Sequence, residues 1–179
     1  MTDTANEPAT DADGASEDPT AVAAPEAAVD APAEEPAATE DTSPQFRIML
    51  VAGVEFHLPS PAPVMELRES ETPYRTLEIP IALPEAQALG QVIHAIKSVR
   101  PSTHELFSEA LFASGTEIVA VRITRCENGV YYAELDLMAA NGRHILDCRA
   151  SDGVILALRQ SVSAPILCDA DVLAAQKVR

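Results

Sequence analysis

The sequence predicts an α+β fold: a single compact domain with a largely antiparallel sheet and flanking helices over residues 45–179, preceded by an acidic Ala/Pro-rich tail at residues 1–44. Three observations carry this prediction. Short runs of strand character recur along residues 46–168, several of them alternating apolar with polar side chains. Asn-Gly dipeptides at 128–129 and 141–142 separate three of those runs by tight turns. Stretches with apolar residues three or four apart lie between the strand groups rather than after every strand. That order argues against a doubly wound parallel sheet.

Charge divides the chain in the same place. Twelve of the twenty-eight acidic side chains fall in residues 1–44, which hold no Lys or Arg. The rest carries sixteen acidic and twelve basic side chains, a net of −4 out of −16. The first segment has no aromatic residue, and its only large aliphatics are Met1, Val22 and Val29. It has too little apolar surface to offset backbone ordering, which costs roughly 1–2 kcal/mol per residue. Disorder is therefore expected there.

The elements follow in order. Residues 46–58 are mostly apolar and suit a long strand, with Gly53 as a bulge. Residues 64–69 and 75–81 suit a hairpin around Glu71–Tyr74, and Pro80 suits a strand end or a sheet edge. Pro84 and Glu85 open a helix whose apolar stripe is Ala86, Leu89, Ile93, Ile96 and Val99, ending near Arg100. Ser102-Thr103-His104-Glu105 has the spacing of a capping box. A second helix follows with Leu106, Phe107, Ala110 and Leu111 on one face and Gly115 as its stop, forming a helical hairpin with a very short link.

Residues 116–125, 130–139 and 143–149 form three antiparallel strands joined by the two Asn-Gly turns. Ser151 caps a third helix with Asp152 in its first turn, ending near Ser161. A short strand at 165–168 and a terminal helix from about Asp169 complete the domain.

Several functions are disfavoured. The chain has no phosphate loop, dinucleotide glycine fingerprint, HExxH, CxxC or nucleophile elbow. The three cysteines, Cys126, Cys148 and Cys168, are odd in number and lack metal-ligand spacing, which suits reduced thiols in a cytoplasmic protein. No signal peptide and no membrane span is expected. Arg122, Arg125, Arg143 and Arg149 lie on or beside neighbouring strands, as a local basic patch or as solvated strand ends.

Polar residues at helix starts and strand ends are the chemical candidates: Glu85, His104-Glu105, and Asp147 to Asp152. Each also has a plain structural explanation as a cap, a first-turn charge or a strand end. The stretches LEIPIALPEAQAL, RPSTHELFSEAL, GVYYAELDL and DCRASDGVILALR followed by API, taken in that order, resemble the bifunctional nuclease domain family over roughly residues 46–173.

The resemblance implies one α+β domain, a homodimer, and RNase or DNase activity with nucleic acid as partner. The family's acidic position before Ala matches Glu85. Its Thr-His-Asp-Leu run matches Thr103-His104-Glu105-Leu106, with Glu in place of Asp. Its Arg-Pro-Ser-Asp-Ala run matches Arg149-Ala150-Ser151-Asp152-Gly153, with Pro and Ala replaced. Its Ile-Gly before the first helix reads Ile81-Ala82.

On this basis Glu85, His104, Glu105 and Asp152 are the expected catalytic residues, and Arg149 and Ser151 the expected substrate contacts. Glu85, Asp147 and Asp152 are the expected ligands of Mg2+ or Mn2+, which take oxygen donors. His104 suits proton transfer, and Arg149 suits a forked grip on phosphate. The reading from another class is a non-catalytic dimeric binding or regulatory module, in which the same residues are caps and interface contacts.

Deleting residues 1–44 is expected to leave the melting temperature nearly unchanged, because those residues bury little. Calorimetry of the shortened protein checks this; a drop of many degrees would contradict the expected disorder.

Overall fold

The computed structural model describes residues 45–57, 59 and 62–176. The expectation of disorder for residues 1–44 lies outside the described residues, as does Leu58 at the end of the first predicted strand. Among the described residues, seven strands form one mixed, mostly antiparallel sheet, accompanied by four helices. No helix among the described residues is long and apolar enough to cross a membrane.

β1 (Phe46–Phe56) pairs antiparallel with β2 (Pro63–Glu69), and the register shifts between Val51 and Gly53, where a bulge was expected. β2 turns into β3 (Thr76–Pro80) as a hairpin, and Pro80 ends an edge strand. β4 (Glu117–Glu127) and β5 (Val130–Ala139) are joined by Asn128 (φ 52°) and Gly129 (φ 82°). Two consecutive positive φ values match the right-handed twist of the flanking strands, and Asn-Gly adopts them at least strain. β6 (Gly142–Arg149) follows across the second turn.

The sheet order is β3-β2-β1-β7-β4-β5-β6. β7 (Ile166–Asp169) is only four residues long, yet it joins the two antiparallel blocks. It runs antiparallel to β1 and parallel to β4, placing Ile166 beside both Met49 and Val121. The core is built on this seam: Met49, Leu67, Val121, Leu135 and Ile166 are buried together with Leu89 and Val154 from the helices.

α1 (Leu83–Ile93) ends earlier than its apolar spacing suggests. Ala95 adopts φ 51°, and the amides of Ala95 and Ile96 turn back to the carbonyls of Val92 (3.1 Å) and Gln91 (2.8 Å). This is a Schellman closure with Ala where Gly is usual. Ile96 and Val99 are consequently exposed rather than buried, and the link to the next helix is nine residues long rather than very short.

α2 (Thr103–Ala113) stops as expected at Gly115, whose φ is 67°. None of its residues is buried, and Leu106 and Phe107 are open instead of packed. α3 (Ala150–Leu158) begins before Ser151, so Arg149 occupies the cap position and makes no side-chain cap bond. It also ends short of Ser161. Gly153 lets α3 lie close to the sheet: a Cβ there would stand 2.8 Å from Val121 Cγ1 and 3.1 Å from Cys148 Sγ. α4 (Ala170–Ala175) starts where Asp169 accepts from the Asp171 amide.

Two buried acids are each clasped by two arginines. Glu69 takes Arg47 Nε at 2.5 Å and Arg75 Nε at 3.1 Å. Asp136 takes Arg143 Nε at 2.7 Å and a second guanidinium from Arg122. Hydrogen bonding from Arg75 first, against the opposing effect of burial, lowers the Glu69 carboxyl to about 2 from 4.5.

That depression predicts an acid-sensitive stability. A lowered carboxylate stabilises the fold fully above pH 4.5, and the contribution disappears as pH falls through 2. At roughly 1.4 kcal/mol per pK unit it amounts to about 3 kcal/mol. Urea unfolding of Glu69→Gln should show a deficit of about that size at pH 7 that narrows between pH 4.5 and 2. A deficit independent of pH would contradict the assignment.

Candidate functional site

Three helix starts converge beside the end of β6. Glu85 lies in the first turn of α1, after Pro84, with its side chain only 10% exposed. His104 lies in the first turn of α2, where the capping box is fully formed. Ser102 Oγ accepts from the Glu105 amide at 3.3 Å, and Glu105 Oε2 accepts from the Ser102 amide at 2.7 Å. Those reciprocal bonds fix the first turn and thereby the direction of the imidazole. Asp152 lies in the first turn of α3, three residues after Arg149.

Arg149 ties these starts together. Its Nε and Nη2 donate to Asp152 Oδ2 and Oδ1 at 2.7 and 3.0 Å, a forked contact. Its Nη1 donates to Glu85 Oε1 at 2.6 Å. His104 Nε2 stands 3.0 Å from Asp152 Oδ1. The result is a continuous chain, Glu85–Arg149–Asp152–His104, along a cavity of about 610 Å3 that all four line.

Burial alone would raise the Asp152 carboxyl, but hydrogen bonds from Arg149 and His104 outweigh it and hold it below the ordinary carboxylate range. The same bond to Asp152 raises Arg149. Asp152 is therefore an anion at neutral pH. It selects which imidazole nitrogen carries the proton and holds the ring in place. Cys148 also lines the cavity, and burial first pushes its thiol up to about 11, so it is no nucleophile near pH 7.

Of the residues singled out from sequence, the structure brings Glu85, His104, Arg149 and Asp152 together. Glu105 does not join them. It closes the capping box, and its Oε1 meets Arg159 Nη1 at 3.2 Å beside a second cavity. The backbone bond to Ser102 is the main reason its carboxyl is lowered. Ser151 is buried in α3 and does not line the first cavity. Asp147 lines that cavity but pairs in register with Glu134 on β5, and its carboxylate enters none of the ion pairs among the described residues. The expected ligand trio of Glu85, Asp147 and Asp152 is not assembled: among the described residues no three His, Cys, Asp or Glu side chains stand close enough to hold a metal ion.

The basic patch is not assembled either. Arg122 and Arg143 serve Asp136, and Arg125 pairs with Glu127 and lies over the Tyr132 ring at 3.9 Å. Sequence reasoning missed Phe107 and Leu146, which line the first cavity. Phe107 had a usable signal, since it lies three residues from His104 and so shares its helix face. Leu146 and the Glu85–Arg149 pair, separated by 64 residues, had none.

A family profile described as "Bifunctional nuclease domain" matches residues 65–179. Two Mycobacterium tuberculosis proteins are each 35% identical to this chain over 125 residues, 69% of this chain and 72% of the relative. They are the uncharacterized protein MT1877 of strain CDC 1551 / Oshkosh and the uncharacterized protein Rv1829 of strain ATCC 25618 / H37Rv.

Removing Arg149 leaves the buried Glu85 carboxylate without its cation. Arg149→Ala is expected to lower stability by about 2 kcal/mol, less than for a fully buried pair because Arg149 is 66% exposed. Adding Glu85→Gln should recover part of that loss. Chemical denaturation of the two single variants and the double variant reads the coupling; strictly additive effects would show that the pair carries no stability.

Proposed function

The chain belongs to the bifunctional nuclease domain family, and from that premise we propose that it hydrolyses phosphodiester bonds in RNA or DNA at the Glu85–Arg149–Asp152–His104 cluster. One observation carries the reading: a solvent-accessible forked guanidinium and an Asp-His pair share one cavity.

Phosphodiester hydrolysis needs positive charge on the phosphate, an oriented water and a proton for the leaving oxygen. Arg149 supplies the charge, exchanging part of its carboxylate contact for phosphate oxygens, which offer the same forked geometry. His104 gives its proton to the leaving oxygen and recovers one from the attacking water. Asp152 holds the imidazole for both transfers. Glu85 anchors Arg149 through Oε1, while its Oε2 is buried and has no partner among the described residues.

The donor set restricts the metal. Both Asp152 oxygens are already bonded and Glu85 Oε2 is buried, so the Asp147 carboxylate is the open donor of the expected trio. That suits Mg2+ or Mn2+ bound largely through water and substrate oxygens. Such an ion, when bound, adds charge stabilisation at the phosphate. A cytoplasmic homodimer belongs to the same proposal, and the free state of Cys126, Cys148 and Cys168 supports a reducing compartment.

The second reading, a non-catalytic binding module, is favoured by the bonds Asp152 already makes to Arg149 and His104, which make the cluster also a structural tie between α1, α2 and α3. Hydrolysis of single-stranded RNA and DNA with Mg2+ or Mn2+ separates the two readings. His104→Ala and Asp152→Asn are expected to slow cleavage by about 10²–10⁴-fold, with circular dichroism unchanged. Equal rates for parent and variants would falsify the catalytic reading and leave the binding module.

A further inference from the structure

The ionic cluster accounts for only part of its cavity. Leu135 and Leu156 are buried at the cavity lining, whereas Phe107 and Leu146 are 42% and 46% exposed. Large apolar side chains left open beside a polar cluster mark a surface that something covers.

Building on the proposed reading, we infer that the occupant is a single unpaired nucleotide, with its base against Phe107 and Leu146 and its phosphate on Arg149. Size supports this. About 610 Å3 lies within the roughly 300–1,000 Å3 of sites for one small ligand, and it cannot enclose a base pair together with the paired strand. Charge limits the occupant to one phosphate. Arg149 is the only Lys or Arg among the described residues lining the cavity. Proteins that track a duplex or a long strand present a row of cations to successive phosphates; here one phosphate has one guanidinium.

The chemistry of the walls completes the argument. Phe107 lies three residues after His104 on α2, so ring and imidazole face the same cavity. An aromatic face stacks any base with little sequence preference. Gln87, Gln91 and Thr103 line the same cavity and offer amide and hydroxyl groups to the base edge. Phe107 is accordingly a specificity residue: it makes the site prefer a nucleotide to a bare sugar phosphate, and an unpaired base to a stacked one.

Isothermal titration with adenosine 5′-monophosphate and with ribose 5-phosphate tests this on the full chain. The nucleotide is expected to bind at least about tenfold more tightly, the scale of one base–aromatic stack. Phe107→Ala should remove that advantage and leave ribose 5-phosphate unchanged, Phe107→Tyr should keep it, and Leu146→Asn should reduce it. Equal affinities for the two ligands, no detectable nucleotide binding, or an equal loss of both in Phe107→Ala each overturns the inference. The result is separable from the hydrolytic reading. Cleavage that depends on His104 without base discrimination removes the base pocket alone. Base discrimination without cleavage removes the nuclease and keeps the pocket.

Discussion

A guanidinium shared by carboxylates from two helices ties the starts of α1 and α3 together. Arg149 stands where β6 becomes α3, and its three donor nitrogens reach Asp152 and Glu85 at 2.6–3.0 Å. Lys could not replace it, because an ammonium cannot present a planar fork to one carboxylate while reaching a second. Without this cation, Glu85 would be a buried acid lacking compensation and Asp152 would lose the bonds that outweigh its burial. The orientation of His104 follows from Asp152, so the imidazole depends on Arg149 at one remove.

The position of Arg149 is in turn set by packing. α3 buries seven of its nine residues against the sheet, and Gly153 permits the approach because Val121 and Cys148 occupy the space a side chain would need. Val121 faces Ile166 of β7 across a parallel register. Four residues near the C-terminal end of the domain therefore join two otherwise separate antiparallel blocks. They also place β4, the strand against which α3 packs.

Charge is organised for stability more than for attraction. Seven of the arginines among the described residues are engaged with carboxylates, five of them around Glu69, Asp136 and the Arg149 cluster. Buried acids held by two guanidinia are stable only with both partners in place, which makes the fold sensitive to acid. Among the described residues lining the first cavity, Arg149 is the one cation.

Local signals were legible in the sequence. The Asn128-Gly129 turn, the Ser102–Glu105 capping box, the Gly115 stop and the bulge near Gly53 each depend on residues within one or two turns of each other. Glu85, His104, Arg149 and Asp152 were identifiable as polar residues at element ends for the same reason. Tertiary structure alone decided what those residues contact. Ala95 closes α1 early in a conformation the residue type does not announce, Ser151 yields the cap position to Arg149, and Glu105 is drawn to Arg159, 54 positions away. It also decided that β7 inserts between β1 and β4. The physical reason is range: turns and caps are satisfied by neighbours in the chain, whereas ion pairs, strand order and cavity walls are satisfied by whichever distant groups the packed core brings within a few ångströms.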